Sequence, residues 1–102
     1  MRGLDASEID LIGACLRAAA DGPFFDDSEF VTLFGVNRLY LRQIAAGWPS
    51  VNPLDEGVAV AVWNSMNNLL GFPHGLSADL RSYVPGGSAA IVRVLARWRA
   101  AD

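Results

Sequence analysis

Side chains that could carry out catalytic or metal chemistry are few and scattered in this sequence. His74 is the only histidine and Cys15 the only cysteine, and Cys15 falls on the apolar face of a predicted helix, so no spacing suggests a zinc site. Asp26-Asp27 and Asp55-Glu56 are adjacent carboxylates, but both pairs stand at predicted helix starts, where capping explains them better than acid–base catalysis. We therefore expect no enzymatic activity, no cofactor and no metal ion.

One polar cluster has no such local explanation. Asn64, Asn67 and Asn68 are spaced i, i+3 and i+4 on one predicted helix, and His74 follows shortly after. The favoured interpretation is that the Asn side chains hold the loop from Gly71 to Gly75 by hydrogen bonds to its backbone. The alternative is a pocket for a small polar ligand.

Basic side chains form two i, i+4 pairs, Arg38 with Arg42 and Arg93 with Arg97, on the third and sixth predicted helices. Aromatic and arginine side chains contribute much of the energy of protein interfaces. The candidate interaction surface is Arg38, Tyr40, Arg42, Gln43, Arg93 and Arg97. The other interpretation, which we favour for the arginines themselves, is that they pair with acids of the first and fourth helices or face water.

The segment from Phe30 to Ile44 resembles a helix-turn-helix motif, with Gly35 at the turn and Leu41 and Ile44 facing inward. This resemblance implies a DNA-binding regulator in which Arg38, Arg42 and Gln43 contact DNA. The net charge of −3 and the pI of about 4.9 oppose attraction to phosphate, since residues 1–29 hold seven acids against two arginines. DNA binding is therefore the alternative to protein binding.

The chain has 102 residues, of which 52% are hydrophobic and 19% charged, as expected for one domain with a full core. No apolar run reaches about 18 residues, and no basic stretch precedes an apolar one at the start. The single cysteine cannot form an internal disulfide. We expect a cytoplasmic protein, and the use of arginine for all eight basic residues suggests a GC-rich bacterial genome.

The elements that would position these residues are six predicted helices. The longest is Asn52–Gly71, with Asn52 as N-cap, Pro53 at the first position and Gly71 as the stop. Alternating β-branched residues at 58–63 would also suit a strand, but only a helix uses both ends of the segment. Its predicted buried face is Leu54, Val58, Val62, Met66 and Leu69.

The remaining helices are predicted from their caps and apolar spacing. They begin after Asp5 (with Glu8), Asp26 (with Glu29), Asn37 and Ser77, and at Ser88. The predicted buried positions of the first are Ile9, Ile12, Cys15, Leu16 and Ala19, and those of the last are Ile91, Val94, Leu95 and Trp98.

The two halves of the chain align without gaps at an offset of 50. Leu4, Asp5, Pro23, Ala46 and Trp48 meet identical residues at 54, 55, 73, 96 and 98. The order of long helix, proline loop, short helix and closing helix is also shared. We therefore predict a single all-α domain, 1–102, built from pseudo-twofold-related three-helix halves, 1–50 and 51–102.

For function, these observations favour a small non-enzymatic interaction or regulatory module that binds a protein partner or a second copy of itself. A helix-turn-helix regulator is the alternative. A small-ligand binder using Asn64, Asn67, Asn68 and His74 is the third choice.

Overall fold

A computed structural model describes residues 3–52, 55–76 and 78–100, which form six α-helices and no strand. The helices are α1 Ala6–Asp21, α2 Asp27–Phe34, α3 Arg38–Gly47, α4 Glu56–Gly71, α5 Leu80–Tyr83 and α6 Gly87–Ala100. The predicted all-α class and the count of six helices are confirmed for this part of the chain. None of the described helices is long and apolar enough to cross a bilayer.

The local start signals of α1 and α3 work as predicted. The Asp5 carboxylate accepts from the Glu8 backbone N–H at 2.9 Å, and the Glu8 carboxylate accepts from the Asp5 N–H at 2.9 Å. At α3, the side-chain oxygen of Asn37 accepts from the Tyr40 N–H at 2.8 Å. These side chains satisfy donors that the first helical turn leaves without intrahelical partners.

At α2 the predicted start is confirmed without its capping hydrogen bond, and at α4 the predicted start is wrong. Asp26 occupies the N-cap position of α2, but its side chain makes no capping hydrogen bond. The long helix α4 begins at Glu56 rather than just after Asn52, because the Asp55 carboxylate accepts from both Gly57 N–H (2.8 Å) and Val58 N–H (3.3 Å). A charged cap at the positive end of the helix dipole is a strong start signal.

The boundaries at the other end of the chain also shift. The short helix α5 begins at Leu80 rather than Ala78, and α6 begins at Gly87, one residue before the predicted Ser88. Three predicted participants, Pro53, Leu54 and the cap Ser77, lie outside the described residues.

The core lies between α1 and α4, which pack on each other, with α3 and α5 against α1, α2 against α4, and α6 against both. Its largest fully buried side chains are Phe30, Phe34, Ile12, Leu16, Leu41, Met66, Leu69, Leu80, Ile91, Val62, Val84 and Cys15. The predicted buried faces of α1, α4 and α6 are thus largely confirmed, with Ile9, Leu95 and Trp98 only half-buried. Burial raises the pKa of the Cys15 thiol to about 12, against a small opposing effect of the Arg17 charge.

The helix contacts bear on the predicted internal repeat. In the first half α1 packs on α3, and in the second half α4 packs on α6 in the same way. The short helices also correspond, because α2 packs on α4 and α5 packs on α1. Two equivalent halves would each pack their short helix on the long helix of the other half, as α2 and α5 do. The duplication itself stays a prediction.

Candidate functional site

Arg38, the first arginine of the predicted interaction surface, is built into the fold. Its guanidinium donates to the Asp27 carboxylate at 2.7 Å, to the Ala20 carbonyl at 2.6 Å and to the Phe25 carbonyl at 2.7 Å. It also lies over the ring of Phe30, 4.4 Å from the centroid, and the Arg38 side chain is only 18% exposed. Arg38 therefore ties the end of α1 and the following loop to the start of α3.

Two more of these arginines are ion-paired with α1. Arg42 meets Asp21 at 2.7 Å, and Arg97 meets Glu8 at 2.6 Å while also donating to the Gly3 carbonyl. The three arginine pairs use acids of α1 and α2, and no acid of α4 takes part among the described residues. The interpretation that the arginines pair within the fold therefore holds for the first helix but not for the fourth.

The other three residues of that surface differ in their exposure. Tyr40 is half-buried and its hydroxyl packs against Gly57 at the start of α4. Gln43 is exposed on α3, and Arg93 is exposed on α6. Gln43 and Arg93 are also the two of these six residues that are exposed and make no side-chain hydrogen bond or ion pair with another described residue.

Two of the Asn side chains of the predicted polar pocket hold the end of another helix. The Asn64 amide donates to the Phe34 carbonyl at 2.9 Å, and the Asn68 amide donates to the Leu33 carbonyl at 2.9 Å. These carbonyls belong to the last turn of α2, where a helix leaves its acceptors unsatisfied. The predicted role of these two side chains in holding the loop after α4 is therefore wrong, and Asn67 is exposed.

His74 holds that loop instead. Its Nδ1 accepts from the Leu76 N–H at 2.9 Å, so in this geometry the proton is on Nε2, which donates to the Leu69 carbonyl at 3.0 Å. The ring packs edge-on against Phe24, with centroids 5.0 Å apart. Within residues 3–52, 55–76 and 78–100, no three His, Cys, Asp or Glu side chains converge as metal ligands would.

A groove with a volume of about 850 Å³ runs along α1. Its floor is one face of α1, including Ser7, Leu11, Ala14 and Arg17. We call this feature the α1 groove. The sequence does not predict this groove, because the spacing of residues along α1 does not indicate where later elements of the chain pack on that helix.

One wall of the α1 groove is the Trp48-Pro49 corner that follows α3. The Trp48 indole N–H donates to the Ile9 carbonyl at 2.7 Å. Its ring lies directly on Gly13, where an added Cβ would be only 2.7 Å from the indole Cδ1 and 3.2 Å from a guanidinium nitrogen of Arg17. Because Gly13 has no side chain, the Trp48 indole can pack directly on the backbone of α1.

The opposite wall comes from the second half of the chain. Tyr83 and Pro85 contribute from the end of α5, and Ala90 and Arg93 from α6. The Tyr83 side chain is 44% exposed, although its ring meets Phe24 edge-on with centroids 5.2 Å apart. A large aromatic side chain therefore remains open to a ligand in this wall.

Comparison with known proteins gives this groove no precedent. No protein-family model, curated protein or solved structure matches the chain. Function is therefore argued from the residues and their geometry.

The α1 groove holds two of the three described arginines that lack a partner. Arg38, Arg42 and Arg97 are ion-paired, and Arg99 lies over the Trp63 ring at 5.2 Å. Among the described residues, the arginines with neither an ion pair nor a contact with an aromatic ring are Arg17, Arg81 and Arg93. Arg17 and Arg93 line the groove, and Arg81 does not.

Proposed function

We propose that this protein is a small non-enzymatic interaction module that binds a peptide segment of another protein in the α1 groove. The observation that carries the proposal is the composition of this groove: Trp48, a half-exposed Tyr83 and two unpartnered arginines face one opening. Trp, Tyr and Arg are the residue types that dominate interface energy. We also propose that the protein is cytoplasmic, which agrees with its single cysteine, Cys15, being a buried free thiol.

The dimensions of the groove suit a segment of polypeptide. Ser7 and Arg17 are ten residues apart on α1, so the floor extends for about 15 Å at 1.5 Å per residue. An extended peptide of four to five residues covers about the same length. Leu11 and Ala14 lie between the two ends and supply an apolar surface for one side chain of the bound segment.

The alternative of DNA binding has less support. The guanidinium groups of Arg38 and Arg42, which a helix-turn-helix protein would direct at DNA, are engaged by Asp27 and Asp21. Net charge is −3, so non-specific attraction to phosphate is weak. DNA binding should be tested by replacing Arg42 and Gln43, because replacing Arg38 would remove hydrogen bonds that stabilise the fold.

The test of the proposal uses a display library of random 12-residue peptides selected on the immobilised wild-type protein. We expect selected peptides to bind Tyr83→Ala at least about tenfold more weakly than wild type, which corresponds to about 1.4 kcal/mol for an aromatic contact residue. The matched control is Leu39→Ala on α3, which also removes an exposed apolar side chain (64% exposed) but lies outside the groove. We expect Leu39→Ala to bind like wild type.

Other results would overturn the groove as the binding site. Peptides that lose affinity for Leu39→Ala and retain it for Tyr83→Ala would place binding on α3, near Arg42 and Gln43. A library that yields no peptide sensitive to Tyr83→Ala would refute peptide binding in the groove. A wild-type dimer in light scattering that Tyr83→Ala dissociates would make a second copy of the chain the occupant.

A further inference from the structure

We propose that the segment bound in the α1 groove is acidic, and that its carboxylates bind Arg17 and Arg93. This inference rests on the proposed function and adds the chemistry of the partner to it. Arg38, Arg42 and Arg97 form ion pairs with acids of the chain, whereas Arg17 and Arg93 form none among the described residues. An arginine presents a planar fork of donors that fits a carboxylate with two parallel hydrogen bonds.

The two arginines reach the groove from different helices. Arg97 contacts both Glu8 and Gly3, so the carboxyl end of α6 lies beside the start of α1. Arg93 is one turn earlier on α6, about 6 Å along its axis, and lines the groove. The Arg17 side chain reaches back along α1, because one of its guanidinium nitrogens is 3.2 Å from the position that a Cβ on Gly13 would occupy.

The acids that line the same groove lie near the start of α1. Glu8 is engaged by Arg97 and by the Asp5 N–H, and Asp5 accepts from Ser7 and from the Glu8 N–H. These capping hydrogen bonds, with Ser7 first, hold the pKa of Asp5 below its usual value. Asp10 is exposed and has no ion pair with an arginine among the described residues.

The groove therefore carries both acidic and basic groups rather than being uniformly basic. A bound segment would direct its carboxylates toward Arg17 and Arg93, and it would leave Asp10 to face a neutral or basic group. The acids also disfavour nucleic acid, whose evenly spaced phosphates would meet Asp5 and Asp10 along the same groove.

The experiment repeats the peptide selection on the wild type and on the double variant Arg17→Glu/Arg93→Glu, and it sequences both selected pools. We expect the wild-type pool to be enriched in Asp and Glu, and individual peptides to bind the double variant at least about tenfold more weakly. The pool selected on the double variant should lose this acidic excess. The matched control is Arg81→Glu, which reverses an unpartnered arginine outside the groove and should leave binding within about twofold of wild type.

Circular dichroism and thermal melting verify that each variant is folded before its binding is compared. Peptides that require Tyr83 but lack an acidic excess, and that bind the double variant as well as wild type, would overturn this inference and leave the proposed function standing. Selection of no groove-dependent peptide would refute both. Binding of an oligonucleotide that the double variant abolishes would replace the acidic peptide with nucleic acid.

Discussion

Replacing Arg38 with alanine should destabilise the protein far more than replacing Arg42, although both arginines lie on α3 and both contact an aspartate at 2.7 Å. The difference is what surrounds each guanidinium. Arg38 is 18% exposed and also donates to two backbone carbonyls, whereas the Arg42 side chain is 51% exposed and has only its ion pair.

The magnitude follows from the contacts that Arg38→Ala removes. Loss of the donors to Ala20 and Phe25 costs about 1.5 kcal/mol each, at the low end for hydrogen bonds from a charged group, because water can partly replace them. The ion pair adds only about 0.5 kcal/mol, since Asp27 is 89% exposed, and the contact with the Phe30 ring adds a similar amount. The total is about 4 kcal/mol, against at most about 1 kcal/mol for Arg42→Ala.

The assay is thermal unfolding followed by circular dichroism at neutral pH. A domain of this size loses about 4–8 °C of Tm per kcal/mol, so we expect Arg38→Ala to melt about 15–30 °C below wild type. Arg38→Lys should fall between the two alanine variants, because an ammonium group cannot reach all three acceptors at once. Melting of Arg38→Ala and Arg42→Ala within about 3 °C of each other would refute the reasoning.

Three further predictions concern the Cys15 thiol in the core and the cap of α2. The Cys15 thiol should not react with Ellman's reagent at pH 8 in the native protein and should react fully in guanidinium chloride; rapid reaction in the native state would contradict its burial. Because the folded pKa is about 12 and the ordinary value is 9.0, the unfolded chain alone releases this proton between those pH values. Stability should therefore fall above pH 9, by up to about 1.4 kcal/mol per pH unit, and this slope should be absent from Cys15→Ala. Asn68→Ala should lower the free energy of unfolding in urea by about 1–2 kcal/mol relative to Asn67→Ala, because both changes raise helix propensity but only Asn68→Ala leaves the Leu33 carbonyl without its donor. Equal unfolding free energies for the two variants would contradict that role.

The parts of the fold that sequence predicts well are those set by neighbours in the chain. Asp5 with Glu8 and Asn37 before α3 act within one helical turn, so their capping hydrogen bonds could be predicted. The apolar spacing of α4 likewise predicted that Val62 and Met66 are buried.

Predictions failed for side chains whose partners are far away in the sequence. Arg38 reaches across from α3 to Asp27, a pairing that no pattern within α2 could show. Asn68 donates to a carbonyl 35 residues earlier, so its role as a cap for α2 depended on how α4 packs. The α1 groove could not be predicted for the same reason: it is lined by Trp48 and by residues of α6 as well as by α1, and only Arg93 of its lining belonged to the predicted surface.

The contact between Trp48 and Gly13 has a consequence for how this binding surface could diversify over evolution. The indole is both a wall of the groove and a support of the fold, and any side chain at Gly13 would displace it. Selection for a new partner is therefore restricted on this wall, where positions 13 and 48 could change only together. The facing wall has no such restriction at Tyr83 and Arg93, both of which are exposed. We expect homologous chains to keep the Gly–Trp pair while altering the opposite wall, so that one scaffold serves different partners.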